Sequence, residues 1–389
     1  MSHTNGGRTT LGELARLFLK LGTTAFGGPA AHIALLENEV VRRRQWMTRE
    51  AFLDYLGATN LIPGPNSTEM AIHVGHDRRG WPGLLVAGTC FILPAALLVG
   101  AAGWVYRAYG SLPAVSGLLY GVKPVVIAII LQALWGLGRS AVRNQWLGAL
   151  GILSVVATAA GVHELLVLAG AGALAALARP GRRKAGAAAA LVGACAIGGP
   201  TASAAVATAA AAAPFALWPM FLIFVKIGAV LFGSGYVLLA FLRADFVERL
   251  GWLTEAQLLD AVAVGQITPG PVFTTATFIG YLLGGAPGAA LATAGIFLPA
   301  FVYVALSGPL VPRIRRSPAA GAVLDGVNVA SLALMAVVSW RLGLSAIVDP
   351  RTAGIAVAAL VALLRFRVNS TWLIAAGGLV GWLSGIVGR

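Results

Sequence analysis

The sequence predicts an all-α polytopic membrane protein made of two inverted-topology repeats, with broken or re-entrant helices at Pro-Gly-Pro motifs. Three observations predict it. The chain is 58% hydrophobic and 11% charged, with a mean hydropathy of +0.83, whereas about 25% of residues in soluble domains are charged. Pro-Gly-Pro occurs twice inside apolar stretches, at Pro63-Gly64-Pro65 and at Pro269-Gly270-Pro271. The halves also align in a constant register. Lys20 matches Lys226, Phe26-Gly27 matches Phe232-Gly233, Trp46 and Thr48 match Trp252 and Thr254, and Asp54 matches Asp260. After a one-residue slip, Pro94, Gly121 and Trp135 match Pro299, Gly326 and Trp340. A register held this long marks a tandem duplication, a common transporter architecture with the site at the repeat interface.

The chain divides accordingly. Residues 1–178 form the first repeat and 216–389 the second. Residues 179–215 carry a basic linker, Arg179 to Lys184, and an alanine-rich run from Ala185 to Ala213 that is long enough to span. The first ten residues are polar and the next segment carries Glu13, Arg16 and Lys20, so no cleavable signal peptide is expected. Each repeat then reads alike. A broken apolar segment comes first, about Leu14 to Leu36 and Ala216 to Leu239. A charged connector with a tryptophan leads to the Pro-Gly-Pro segment. Spans follow at Gly83 to Val105 and Ala114 to Gly138, matched by Gly288 to Leu306 and Ala319 to Trp340. Two shorter apolar helices close each half.

Charge sets the topology. The net charge of +14 falls in short clusters between apolar runs. That is the positive-inside pattern, not a nucleic-acid surface. The first connector carries Arg42, Arg43, Arg44 and Arg49 against Glu37, Glu39 and Glu50, while its twin carries Arg243 and Arg249 against Asp245, Glu248 and Glu255. Arg78 and Arg79 before the first span are matched by the uncharged Leu282-Leu-Gly-Gly285. Inverted repeats follow, with 42–49, 78–79, 139–143, 179–184, 313–316 and 365–367 cytoplasmic. Basic flanks on both sides of 50–77 predict a re-entrant hairpin there. Cys90 and Cys195 lie in apolar runs and read as buried thiols, with neither a disulfide nor a metal site implied.

Proline removes an amide donor and glycine frees the backbone, so each motif breaks a helix. Broken backbone at membrane depth lines a cavity or is buried in protein. A half-helix starting after Gly64-Pro65, with proline at its first position, aims the amides of Asn66, Ser67 and Thr68 at the break. Such an end binds anions. The second repeat offers Thr274 and Thr275. Upstream, Gly27-Gly28-Pro29 has the same grammar; Gly233-Ser234-Gly235 keeps the glycines and loses the proline. For a single Gly-Pro, a packing kink is the simpler reading; four breaks in register favour a site. Ionisable residues in apolar segments are candidates too. His32 and Lys123 are placed in the anion site, Lys123 as a neutralising charge. Lys20 and Lys226 read as snorkelling residues and Asp54 as interfacial. Glu69 and His73, spaced i and i+4, form a candidate proton-coupling or gating pair. The same pair allows a metal, but no third ligand is evident. There is no nucleotide-binding loop and no domain large enough for an ATPase, so transport is secondary or passive.

The runs FGGPAAHIALLENEVVRRRQWMTREAFLD, LIPGPNSTEMAIHVGHDRRGWPG and LPAALL resemble the chromate ion transporter family. FGSGYVLLAFLRADFVERLGWLTEAQLLDAVAVGQITPGPVF and GIFLPAF do so in the second half. The length matches the family's long, bidomain branch. The resemblance implies antiparallel halves and chromate efflux across a bacterial inner membrane, conferring chromate resistance, with sulfate as a look-alike competitor. The reading is thus a non-enzymatic exporter of a tetrahedral oxyanion without cofactor or metal, embedded in the lipid bilayer, with a homodimer left open. A sulfate or other oxyanion permease is the alternative. A membrane-embedded enzyme acting on lipid phosphate through His32, Glu69 or His73 ranks below both.

Overall fold

The computed structural model describes residues 9–26, 28–110, 112–178, 214–232, 235, 237–315 and 317–387. Gly27, Gly233, Ser234 and the connecting helix expected within 185–213 lie outside them. All regular elements among the described residues are helical. The first repeat runs α1 (Leu11–Thr24), α2 (Gly28–Glu37) passing into a π-turn (Asn38–Arg43), α3 (Arg49–Thr59), α4 (Asn66–Tyr109), α5 (Pro113–Ala141), α6 (Gln145–Ala159) and α7 (Glu164–Leu177). The second runs α8 (Leu217–Val230), α9 (Leu238–Leu242) with its π-turn (Arg243–Arg249), α10 (Glu255–Ile267), a 3-10 turn (Val272–Thr274), α11 (Thr275–Arg315), α12 (Pro318–Ala346), α13 (Pro350–Arg365) and α14 (Ser370–Val387).

Local chemistry sets these boundaries, and it repeats. Thr48 and Thr254 accept the amides of Ala51 and Gln257 and so cap α3 and α10. That is why threonine follows tryptophan by two residues in both connectors. The eight positive-φ positions among the described residues fall into four matched pairs: Gln45 with Gly251, Gly64 with Gly270, Gly80 with Gly285, and Gly161 with Arg367. The duplication is therefore visible in the backbone even where the side chains have diverged.

The pair Gly80 and Gly285 changes the count of spans. At Gly80 (φ +60) the chain reverses, and α4 is a hairpin with limbs 66–78 and 81–109. Gly75 lies against Gly83 and Ala87 across the turn, close enough that a Cβ on Gly75 would come 2.3 Å from the Gly83 carbonyl oxygen. α11 folds back at Gly285 in the same way, with Gly280 on Gly288 and Thr277 hydrogen-bonded to Thr293 at 2.7 Å. The long limb of α4, at 1.5 Å per residue, measures about 43 Å and spans alone. α5 and α12 are also long and apolar enough to cross a membrane.

The ends of segment 50–77 meet. Arg78 donates to the Trp46 carbonyl at 3.1 Å and lies over the Trp46 ring, and it also reaches Thr9. At the matching corner of the second repeat, Trp252 packs on Phe215 and Gly284 on Phe215 and Leu217. One corner is cationic and its twin is apolar.

The repeats are intertwined. The closing hairpin α6–α7 packs on α12 of the second repeat, and α13–α14 pack on α5 of the first. Glycines set these crossings: Gly121 faces the Gly377 backbone and Gly326 faces Ala171. Lys20 and Lys226, expected to snorkel, instead form ion pairs. Lys20 Nζ lies 2.9 Å from Glu39, which Arg43 and Arg44 also engage. Lys226 pairs with Asp245, as does Arg249. Glu39 and Asp245 are buried, while the Lys20 side chain stays 53% exposed and that of Lys226 30%. Each pair ties the first helix of its repeat to the π-turn.

Candidate functional site

The breaks in the two repeats join at the centre. α1 ends at Ala25, whose extended backbone leaves its carbonyl outside the helix. Gly270 N–H donates to that oxygen at 2.9 Å. Leu231, the match of Ala25, accepts from Gly64 N–H at 2.8 Å. Each Pro-Gly-Pro turn is thus pinned to the broken first segment of the other repeat. The glycine is required twice over. Gly64 and Gly270 have φ of +139° and +92°, and a Cβ on Gly270 would meet Ala95 Cβ at 2.6 Å. Ala95 and its match Ala300 belong to the two Leu-Pro-Ala runs, which supply the floor under the turns.

Pro65 occupies the N-cap of α4, not its first helical position. Its carbonyl accepts the amides of Thr68 at 2.8 Å and Glu69 at 3.0 Å. The Thr68 amide is therefore spent inside the turn, a correction to the expectation, and Asn66 and Ser67 remain as the amides at the break. Both line a cavity of about 500 Å³ between the repeats. His32 enters it from α2. Its Nε2 lies 3.0 Å from the Ala25 carbonyl and its Nδ1 3.4 Å from Ser67 Oγ. The carbonyl requires the proton on Nε2. At 3.4 Å the Ser67 hydroxyl is held weakly and is free to turn to a ligand.

From the second repeat come Pro271, Val272, Phe273, Asn328 and Ser331. Arg143 and Asp325 stand 3.8 Å apart at the rim, Arg143 with 72% of its side chain exposed. The cavity thus offers a helix N-terminus, hydroxyls and amides inside, and the Arg143–Asp325 ion pair at its edge. A larger apolar groove of about 890 Å³ runs between the long limbs of α4 and α11 past Leu93, Leu97, Trp104 and Leu298. Its chemistry is that of a lipid-facing surface.

Of the predicted site residues, His32, Pro65, Asn66, Ser67 and Pro271 line the cavity. Pro63, Gly64, Pro269 and Gly270 shape the turns behind it. Gly28 and Pro29 begin α2. Thr274 and Thr275 are buried and turn their hydroxyls onto the Pro271 and Val272 carbonyls, so they are not free donors there. Lys123 is not at the cavity wall. Its Nζ lies 3.1 Å from Asp260, which also accepts from Tyr106 Oη at 2.8 Å. Glu69 is fully buried, and neither carboxyl oxygen meets a hydrogen-bond partner among the described residues. It folds back beneath Gly64, where a Cβ would come 2.3 Å from its Oε1. His73 stacks on Tyr55 at 5.1 Å. His32, Glu69 and His73 therefore serve three different surroundings. Asn60, Arg143, Asp325, Asn328 and Ser331 are not among the predicted site residues. Two signals existed: Asp325 is an ionisable residue inside an apolar segment, and Asn328 stands in register with Lys123.

A duplicated, all-helical bundle with broken helices meeting at a polar cavity defines a multi-pass membrane transporter. The Chromate transporter family profile matches residues 12–177 and again residues 218–382. The chain belongs to that family. It is 35% identical over 386 residues to a chromate transport protein of Cupriavidus metallidurans, covering 96% of this chain and 92% of that one. It is 32% identical to a chromate transport protein of Pseudomonas aeruginosa, covering 95% and 92%. It is 33% identical to a probable chromate transport protein of Synechococcus elongatus, covering 90% and 89%. No solved structure matches the chain.

Proposed function

We propose that this protein exports chromate across the bacterial inner membrane as a secondary transporter and so confers chromate resistance. The observation that carries the reading is the inter-repeat cavity, with Asn66 and Ser67 at a helix N-terminus inside it and Arg143 at its rim. Chromate is a tetrahedral dianion. A preformed N-terminus with neutral donors holds such an ion without burying a counter-charge. The open end carries Arg143, from a loop that the positive-inside pattern assigns to the cytoplasm. The cavity then faces the side from which an exporter loads. The joined ends of 50–77 fit a re-entrant hairpin reaching the site from one face.

Membrane potential supplies a sufficient force. Each elementary charge crossing gains about 2.3 kcal/mol per 100 mV, and an inside-negative potential expels a dianion. Glu69 sits behind the anion turn and gates affinity. An ionised carboxylate at about 4 Å from each anion charge would cost roughly 4 kcal/mol at an effective dielectric near 20, and a neutral one would not. Chromate uptake into everted inner-membrane vesicles, with sulfate as competitor, tests the reading. Potential-dependent chromate uptake is the expected result. Uptake of sulfate with exclusion of chromate would make the protein a sulfate permease.

A further inference from the structure

We infer that Lys123, Asp260 and Tyr106 latch a second, closed entrance to the same cavity, at the opposite end of the repeat pair. The inference rests on the transport reading above. Its basis is the repeat register. Residues lining the open cavity have equivalents in the other repeat, and these mark where a matching opening lies. Asn60 corresponds to Gln266, Leu137 to Leu342, Ala141 to Ala346 and Asn328 to Lys123. Asn60 is exposed, and Leu137 and Ala141 are half-buried. Gln266, Leu342 and Ala346 are all buried. Of the matching space there remains a void of about 10 Å³ beside Leu238, Leu239 and Gln266. Gln266 Nε2 is buried there and meets no hydrogen-bond partner among the described residues.

Helix packing differs between the repeats in the same sense. α10 packs on α11 as its equivalent α3 packs on α4, and α10 alone adds extensive packing on α5 and α12. The contact between α10 and α5 is where Lys123 meets Asp260 at 3.1 Å, with the Tyr106 hydroxyl on the other carboxylate oxygen at 2.8 Å. At the open end the corresponding positions carry Asn328, which faces the cavity, and Asp54, which is exposed. The two ends are one structure in two states. Opening the second entrance draws α10 from α5, frees Lys123 from Asp260 and gives that passage a cation. α3 closes on α12 as this happens.

Thiol accessibility in membrane vesicles reads this directly and needs no anion flux. In full-length protein with Cys90 and Cys195 replaced by serine, Leu137→Cys should react quickly with a water-soluble maleimide and Ala346→Cys slowly. Adding Asp260→Asn should raise the Ala346→Cys rate several-fold and lower the Leu137→Cys rate. Tyr106→Phe should do so more weakly, and it carries the test if Asp260→Asn does not accumulate. The charge exchange Lys123→Asp with Asp260→Lys should restore the slow rate. Unchanged rates in a latch variant that accumulates, with chromate uptake intact in the unmutated protein, would overturn the latch. Loss of the chromate signal alone, with the rates shifting as expected, would overturn the transport reading and leave the latch standing.

Discussion

Gly64 and Gly270 make the same bond in opposite directions: each donates its amide to the carbonyl that ends the first helix of the other repeat, Leu231 at 2.8 Å and Ala25 at 2.9 Å. Neither turn is complete within its own repeat. The site is therefore assembled by the duplication itself.

The two glycines differ in what surrounds them. At Gly64 the atom in the way is the end of the Glu69 side chain, which can swing aside; at Gly270 it is Ala95 on a packed helix. A non-glycine residue at these sparsely populated φ values costs on the order of 1–3 kcal/mol. Gly270→Ala should abolish chromate uptake and lower the amount of inserted protein. Gly64→Ala should leave insertion near normal and reduce uptake about tenfold. Normal uptake in both, measured per inserted protein, would reduce the breaks to packing kinks.

On the proposed reading, Ser67 meets the anion directly and His32 acts through the Ala25 carbonyl. Ser67→Ala deletes a donor to a charged ligand, an interaction worth about 1.5–3 kcal/mol. The KM for chromate should rise roughly tenfold or more, with the maximal rate preserved. His32→Ala removes a donor from the Ala25 carbonyl that also anchors Gly270, so the maximal rate should fall as well. Uptake kinetics in everted vesicles separate the two outcomes.

Glu69 tests the coupling. If the anion binds while this carboxyl is neutral, chromate affinity falls as pH rises through its titration. Glu69→Gln should flatten that dependence. Collapsing the pH gradient alone should leave wild-type uptake in place, and collapsing the potential should stop it. Uptake lost with the pH gradient alone would replace potential drive with proton coupling. A wild-type pH profile in Glu69→Gln would remove this carboxyl from the mechanism.

The contrast between the Trp46–Arg78–Thr9 corner and the Trp252–Phe215–Gly284 corner predicts that the two lie on opposite faces of the membrane. Single cysteines next to Arg43 and next to Arg249 should react with an impermeant reagent from opposite sides. Reaction from one side would exclude inverted repeats.

The elements written in the chain's local chemistry were legible from sequence. The register from Lys20/Lys226 to Trp135/Trp340, the Pro-Gly-Pro breaks and the paired closing helices needed only composition and spacing. The partners of single side chains were not. Lys123 read as a spare cation because its ion pair with Asp260 joins residues 137 positions apart. Thr274 and Thr275 read as donors because a 3-10 turn, which returns their hydroxyls to the backbone, has no marker distinct from a helix start. Arg143 looked like one basic loop residue among several until the fold set it on a cavity rim.

The exchange of closing hairpins, α6–α7 onto α12 and α13–α14 onto α5, bears on how the chain is made. The first half leaves the ribosome with its last two helices facing a surface that has not yet been synthesised, so those helices must wait in the lipid until α12 arrives. A gene cut within codons 179–184, ahead of the alanine-rich run, should therefore still yield an active transporter when both fragments are made in the same cell. Either fragment alone should be degraded.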